Sequence, residues 1–312
     1  MTDTSASMPA PSKSATAGPA SSGAGKSRFK GAGNYLALIP FHAYVGLFLV
    51  LPTLIVAIGA FSTLDGRVTL ENVAAMFTTQ AFISSFIKSL QLAVITAILG
   101  AVFGGLLSWA VLRGDPNGMM RQLVIAASGV LAQFGGVMLA FAFLATFGFN
   151  GLVTQFIQGT LGVGVSGYDP QWLYTMAGLA VVYTYFQIPL MLIVFLPSLD
   201  GLRQEWYDAS ASLGGGAWSF WRHVGGPILA PSFLGALLLL FTNAFSAYAT
   251  VQALFSQGCV LITQQIACQM QSEVVIGQEN VGKALALGMI VIVSAVMGVY
   301  AWIQRRASRW VK

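Results

Sequence analysis

Charge is scarce in this sequence. Asp, Glu, Lys and Arg supply 8% of its 312 residues, where soluble domains carry about 25%. Apolar residues supply 56%, more than one water-soluble core can bury, so the excess must face lipid. There are two cysteines and two histidines. They are too few and too scattered for a zinc site. His42 and His223 stand far apart, and no His-Glu-x-x-His pattern or paired nucleophile and base is present, which excludes the common membrane-embedded enzymes. The basic residues sit in small groups at the ends of apolar blocks, with no basic groove interleaved with aromatics, so nucleic-acid binding is excluded as well. No Asp or Glu falls inside an apolar block. Ion- and proton-coupled secondary transport usually needs such groups.

What is present is six apolar blocks long enough to cross a bilayer as helices, which takes about 20 residues. They run roughly over 35–61, 83–112, 122–147, 172–199, 228–254 and 284–303. Each is apolar all round, as lipid-facing helices require. The Gly-rich stretch 151–165 is shorter and reads as a surface or re-entrant helix. The distribution of Lys and Arg orients the chain. With the N-terminus in the cytoplasm, the inner segments hold Lys13, Lys26, Arg28, Lys30, Arg113, Arg121, Arg203, Arg222, Arg305, Arg306, Arg309 and Lys312. The outer loops hold Arg67 and Lys283, and Lys88 snorkels near the outer end of the second block. Both termini are therefore expected in the cytoplasm, in a multi-pass protein of the plasma (inner) membrane.

Residues 1–34 are rich in Ser, Ala, Gly and Pro and read as a disordered cytoplasmic tail. They carry no signal peptide, because no apolar stretch of the right length follows. Within them, Ala20 to Ser27 resembles a relaxed phosphate-binding loop. That loop needs a strand before it and a helix after it. A low-complexity tail and Arg-Phe-Lys-Gly surround this one, so it is read as part of a flexible basic tail. If ATP is used, another chain binds it.

The longest inner loop, 200–227, lies between the fourth and fifth blocks. Residues 204–213 suit a short helix on which Trp206, Ala209 and Leu213 share a face. The glycines at 214–216 suit the left-handed turn that ends a helix. A second short helix then carries Trp218 and Trp221, and Pro227 and Pro231 open the fifth span. Trp206, Trp218, Phe220 and Trp221 on a water-facing loop mark a partner surface or an interfacial anchor.

The spacing in this loop resembles a family signature. Asp208-Ala209-Ser210, three residues, Gly214, nine residues and Val224-Gly-Gly-Pro227 are similar to the EAA motif of binding-protein-dependent ABC permeases. That motif runs acidic-Ala-Ala, three residues, Gly, nine residues, Ile, any residue, Leu, Pro. The departures are Asp208 for Glu, Ser210 for Ala and Gly226 for Leu. The resemblance covers 35–312 and implies an all-α fold, a six-helix transmembrane domain of the type I importer (MetI-like) kind with cytoplasmic coupling helices at 200–227. It also implies partners: a dimer of ABC ATPases, a second permease subunit in a heterodimer, an extracytoplasmic solute-binding protein and the bilayer. The chain itself is then no enzyme and holds no cofactor, since ATP and Mg are bound by the partner ATPase. Trp206, Asp208, Ala209, Ser210, Gly214, Trp218, Trp221 and Pro227 become the ATPase-coupling residues. A secondary transporter or channel is the competing reading, and it lacks both intramembrane charges and an inverted repeat.

Few polar residues interrupt the spans. Gln133, Tyr183, Gln187, Asn243, Ser246 and Thr250 are the translocation-path candidates. Tyr183 and Gln187 are expected on one helix face, and Asn243, Ser246 and Thr250 on another. Each is read first as polar glue between helices, and then as path lining. The runs from Gln187 to Gly214 and from Phe245 to Thr250 resemble polyamine permeases, a group similar to those for ferric iron, phosphonate, sulfate and thiamine. Cys259 and Cys268 are nine residues apart. In one continuous helix they would face opposite ways, about 13 Å apart. They are read as two independent small buried residues, with a disulfide open only to a hairpin or broken helix.

Overall fold

The computed structural model describes residues 39–63, 65–160, 169–255, 258–271 and 279–307. The tail at 1–34 and its phosphate-loop resemblance lie outside them, as do residues 161–168, which include the end of the Gly-rich stretch 151–165. The chain divides into two units, 1–52 and 53–312.

The described residues are helical apart from short connections. Six helical stretches are long and apolar enough to cross a membrane: Ile39–Ala60, Gln80–Leu112, Gly136–Ile157, Met176–Asp200, Ala217–Ser246 and Glu279–Arg305. We number the helices in chain order. They are α1 Ile39–Ala60, α2 Glu71–Thr78, α3 Gln80–Leu112, α4 Met119–Gln133, α5 Gly136–Phe147, α6 Leu152–Thr160, α7 Met176–Asp200, α8 Gln204–Ser212, α9 Ala217–Ser246, α10 Ala249–Leu254, α11 Ile262–Gln271 and α12 Glu279–Ala307.

In the second unit, α3 and α7 pack along much of their length, and α9 lies against both. Two glycines set the α3–α7 spacing. A Cβ on Gly104 would fall 2.5 Å from Met191 Cβ, and one on Gly100 would fall 2.7 Å from Gln187 Cβ. Ala93, Ala97 and Ala101 on α3, Tyr183 and Met191 on α7 and Leu240 on α9 fill the seam and are almost wholly buried. This follows the membrane rule that small residues let helix backbones approach closely. Helix α12 packs against α9, α11 and the short helix α2.

Two of the expected spans are broken. The third block splits at Phe134-Gly135 into α4 and α5, and Gly136 takes φ +68. Only glycine visits that region without cost. The fifth block ends at Ser246, where Ala247 turns extended (ψ 118), and resumes as α10. The two breaks face each other: a Cβ on Gly136 would lie 3.5 Å from Ala249 Cβ. Side chains satisfy backbone groups freed by the second break. Tyr183 Oη donates to the Ala247 carbonyl at 3.1 Å, and Thr263 Oγ1 donates to it at 3.3 Å.

The cysteine pair is bridged, contrary to the expectation from one continuous helix. Cys259 precedes α11 in a non-helical stretch and Cys268 lies within it, so the chain folds back. The Cα atoms are 6.6 Å apart, and the sulfurs are bonded. Gln264, fully buried, stitches the same corner: its Oε1 accepts from Val260 N at 3.2 Å, and its Nε2 donates to the Phe255 carbonyl at 2.9 Å.

Candidate functional site

Residues 200–227 form a helical hairpin. Helix α8 follows Arg203, ends at Ser212 and gives way to Gly214 at φ +81. That left-handed turn is where the glycine was expected. Ser210 O accepts the Gly215 N–H at 2.9 Å and closes the turn. The returning arm is not a separate short helix before the fifth span, as the two prolines suggested. It is the first part of α9, continuous through a π-helical turn at Trp221–Gly225 in which Gly226 N bonds to Trp221 O. Pro227 sits in the first turn after this π turn, where its missing N–H costs least.

The π turn accounts for the motif's departure at position 226. A Cβ there would fall 2.5 Å from the Trp221 carbonyl oxygen. Leucine, which the resembled motif carries, does not fit this backbone.

The aromatic residues of the hairpin divide by role. Phe220 is 5% exposed, not solvent-facing. It packs edge-to-face on Tyr207, with ring centroids 5.3 Å apart, and clasps the two arms. Trp221 is half-buried beside it. Trp218 is 78% exposed and Leu213 is 90% exposed. Trp206, Ala209, Ser210 and Leu213 line one open groove of about 400 Å³, with Ser219 and His223 from the opposite arm. Asp208 is exposed and caps nothing: Gln204 Nε2 donates to its Oδ1 at 3.2 Å, from one turn back in the same helix.

The six polar span residues separate by environment. Tyr183, Gln187 and Thr250 are at most 1% exposed. Gln187 Nε2 donates to Thr96 Oγ1 at 2.9 Å, and its Oε1 has no partner among the described residues. These three sit at helix seams. Gln133, Asn243 and Ser246 are exposed. Ser246 Oγ donates back to the Thr242 carbonyl at 2.8 Å, while Gln133 and Asn243 make no side-chain hydrogen bond shown among the described residues. The expected common face of Asn243 and Thr250 does not exist, because the break at Ala247 puts them on different helices.

Sequence reasoning missed two groups. Lys88, Gln91, Thr184 and Tyr185 are the polar members of a mostly apolar cavity of about 940 Å³ between α3 and α7. At the span ends next to the hairpin, Arg113, Arg121 and Arg203 gather at a cavity of about 710 Å³. Nothing in the spacing of these arginines shows that they converge. Among the described residues there is no cluster of His, Cys, Asp or Glu that suits a metal.

Residues 167–311 match the family model described as "Binding-protein-dependent transport system inner membrane component". The chain is 27% identical over 206 residues to a probable sulfate transport system permease protein of Nephroselmis olivacea, covering 66% of this chain and 69% of that one. It is 25% identical over 174 residues to the sulfate transport system permease protein of Salmonella typhimurium, covering 56% and 59%. It is 26% identical over 219 residues to the thiamine transport system permease protein of Salmonella typhimurium, covering 69% of this chain and 36% of that one. The match thus spans less than two thirds of the two Salmonella relatives. Among solved structures, a bacterial ABC transporter involved in import of the acidic polysaccharide alginate superposes with a TM-score of 0.66 at 14% identity, over 89% of this chain and 96% of that one. That likeness is of fold.

Proposed function

We propose that the whole chain is a permease subunit of an ATP-driven importer, on the premise that residues 167–311 belong to the binding-protein-dependent inner-membrane components. Such a component is a permease and not itself the ATPase. The observation that carries the reading to mechanism is the hairpin. Trp206, Ala209, Ser210 and Leu213 present an open groove, Gly214 turns the chain, and the second arm is one helix with the fifth span. A separate ATPase dimer docks on this groove. Small residues let the backbones approach, and Trp218 and Leu213 supply anchor area. Closure of the ATPases moves the hairpin, and α9 carries the motion to its exposed polar residues Asn243 and Ser246. A second permease subunit completes the path there, and a soluble binding protein delivers the solute from outside.

The solute class follows from charge. Within the described spans the charged side chains set more than three residues in from an end include Lys88, Lys283 and Arg222, all cationic and none at the middle of its span. Cations at the mouths of a path favour an anion over a polyamine. Sulfate permeases among the relatives agree with that sign, and the thiamine permease, whose solute is a cation, is the second reading. We therefore replace the polyamine expectation with a small oxyanion of the sulfate type.

The test is uptake by the assembled transporter in vesicles. Labelled sulfate should enter with ATP and resist competition by putrescine. Gly214→Pro cannot adopt φ +81. It should leave insertion intact while uptake falls at least tenfold and the ATPase no longer co-purifies. Normal uptake and normal ATPase recruitment in that variant would falsify the docking assignment, and putrescine import would overturn the solute class.

A further inference from the structure

Helix α8 uses two faces. Trp206, Ala209 and Leu213 look into the open groove. Arg203, Gln204 and Tyr207 look the other way, into the cavity of about 710 Å³ between the hairpin and the adjoining ends of α3, α4 and α7. Three guanidinium groups reach that cavity, against the single carboxylate of Asp200. Arg121 is spoken for: its Nη2 donates to Asp200 Oδ2 at 2.6 Å. Arg113 lies over the Trp109 indole, 3.9 Å from the ring centroid, so its cation is positioned but not neutralised. Arg203 has no ion-pair or side-chain hydrogen-bond partner among the described residues.

We propose that this cavity is a binding site for a tetrahedral oxyanion, held between Arg113 and Arg203 and braced by the Arg121–Asp200 pair. Guanidinium forks match phosphate and sulfate oxygens in pairs, and two exposed cations that converge on one cavity with no counter-charge of their own among the described residues offer an anion such forks. The cavity lies at the inner ends of spans, with Trp109, Leu112 and Trp221 in its wall. That is where a phospholipid headgroup sits and where basic pockets between spans recruit anionic lipid. A free sulfate or phosphate has the same chemistry. Either occupant would tie the start of α8 to the span ends and stiffen the base of the hairpin.

The experiment needs neither the ATPase nor uptake, so its failure is separate from failure of the transport reading. The full chain is purified in neutral detergent and supplied with phosphatidylcholine or phosphatidylglycerol. Retained lipid is counted by native mass spectrometry. In a lipid-free arm, Tm is followed as millimolar sodium sulfate or phosphate is added. Phosphatidylglycerol retained at least fivefold over phosphatidylcholine, and lost in Arg113→Gln/Arg203→Gln, identifies the headgroup as occupant. A Tm rise with the free anions, lost in the same variant, identifies an inorganic occupant. Arg203→Gln alone removes no bond seen in the fold, so it guards against misfolding of the double variant. Arg222→Gln, exposed on the other arm and outside the cavity, should change neither readout. Equal loss in Arg222→Gln, or retention and Tm indifferent to Arg113 and Arg203, overturns the site.

Discussion

Gln187 and Asn243 are both amides in membrane helices, yet they face different tests. Gln187 is buried between α3, α7 and α9, bonded to Thr96 on one side and, among the described residues, unpaired at Oε1. Thr96 keeps its own bond to the Leu92 carbonyl at 2.8 Å. Replacing the amide by an apolar chain of similar shape therefore loses one modest bond and relieves one unsatisfied acceptor. Gln187→Met should shift stability by no more than about 1 kcal/mol and leave transport near normal. Asn243→Ala, at an exposed position, should leave Tm unchanged and lower uptake severalfold. Thermal melts and uptake on the same two variants check both. The sequence spacing placed Tyr183 and Gln187 on one face correctly. It could not say that this face was buried, because i, i+4 spacing is silent about what packs against it. For Asn243 and Thr250 the spacing argument failed outright, since it assumed a helix through Ala247.

At the scale of elements, the hairpin was legible because its signals are local: a polar run, a glycine for a left-handed turn, and aromatics at helical spacing. The continuity of its second arm with the fifth span was not legible. Two prolines look like a helix start, and a π turn leaves no periodic mark. Restoring the motif's leucine tests the difference. Gly226→Leu puts a side chain against the Trp221 carbonyl, so the π turn must revert to α geometry. Removing the extra residue of a π turn rotates everything before it by roughly 100° about the helix axis. Membrane insertion should persist, while uptake and ATPase stimulation fall together. The outer corner misled for a related reason. Cys259 and Cys268 suited no bridge in a straight helix, and tertiary folding of 255–271 brought them together.

At the scale of the molecule, six apolar stretches were legible because bilayer thickness acts on composition, not on contacts, although the third candidate span runs over Gly136–Ile157 and not 122–147. The convergence of Arg113, Arg121 and Arg203 was not legible, since it depends on the α3–α4 turn and the α7–α8 turn meeting in space. Topology has a direct check. With its described cysteines bridged, the chain should take up no membrane-impermeant maleimide until reductant is added. Leu213→Cys, at a position 90% exposed, should then react from the cytoplasmic face alone. Labelling from outside would invert the orientation and remove the hairpin from any ATPase.

The fusion of hairpin and span in α9 has a mechanical consequence. Thirty residues in one helix rise about 45 Å. If the far end is held, each degree of tilt sweeps the near end through about 0.8 Å. On the proposed coupling, a lever of this length needs only a few degrees to turn a nucleotide-driven step of several ångströms into reorientation of Asn243 and Ser246. Two joints lie along it, the widened turn at Trp221–Gly225 and Pro231 inside the helix. Stiffness at those joints, more than affinity at the groove, would then set how much of each proposed power stroke reaches the solute.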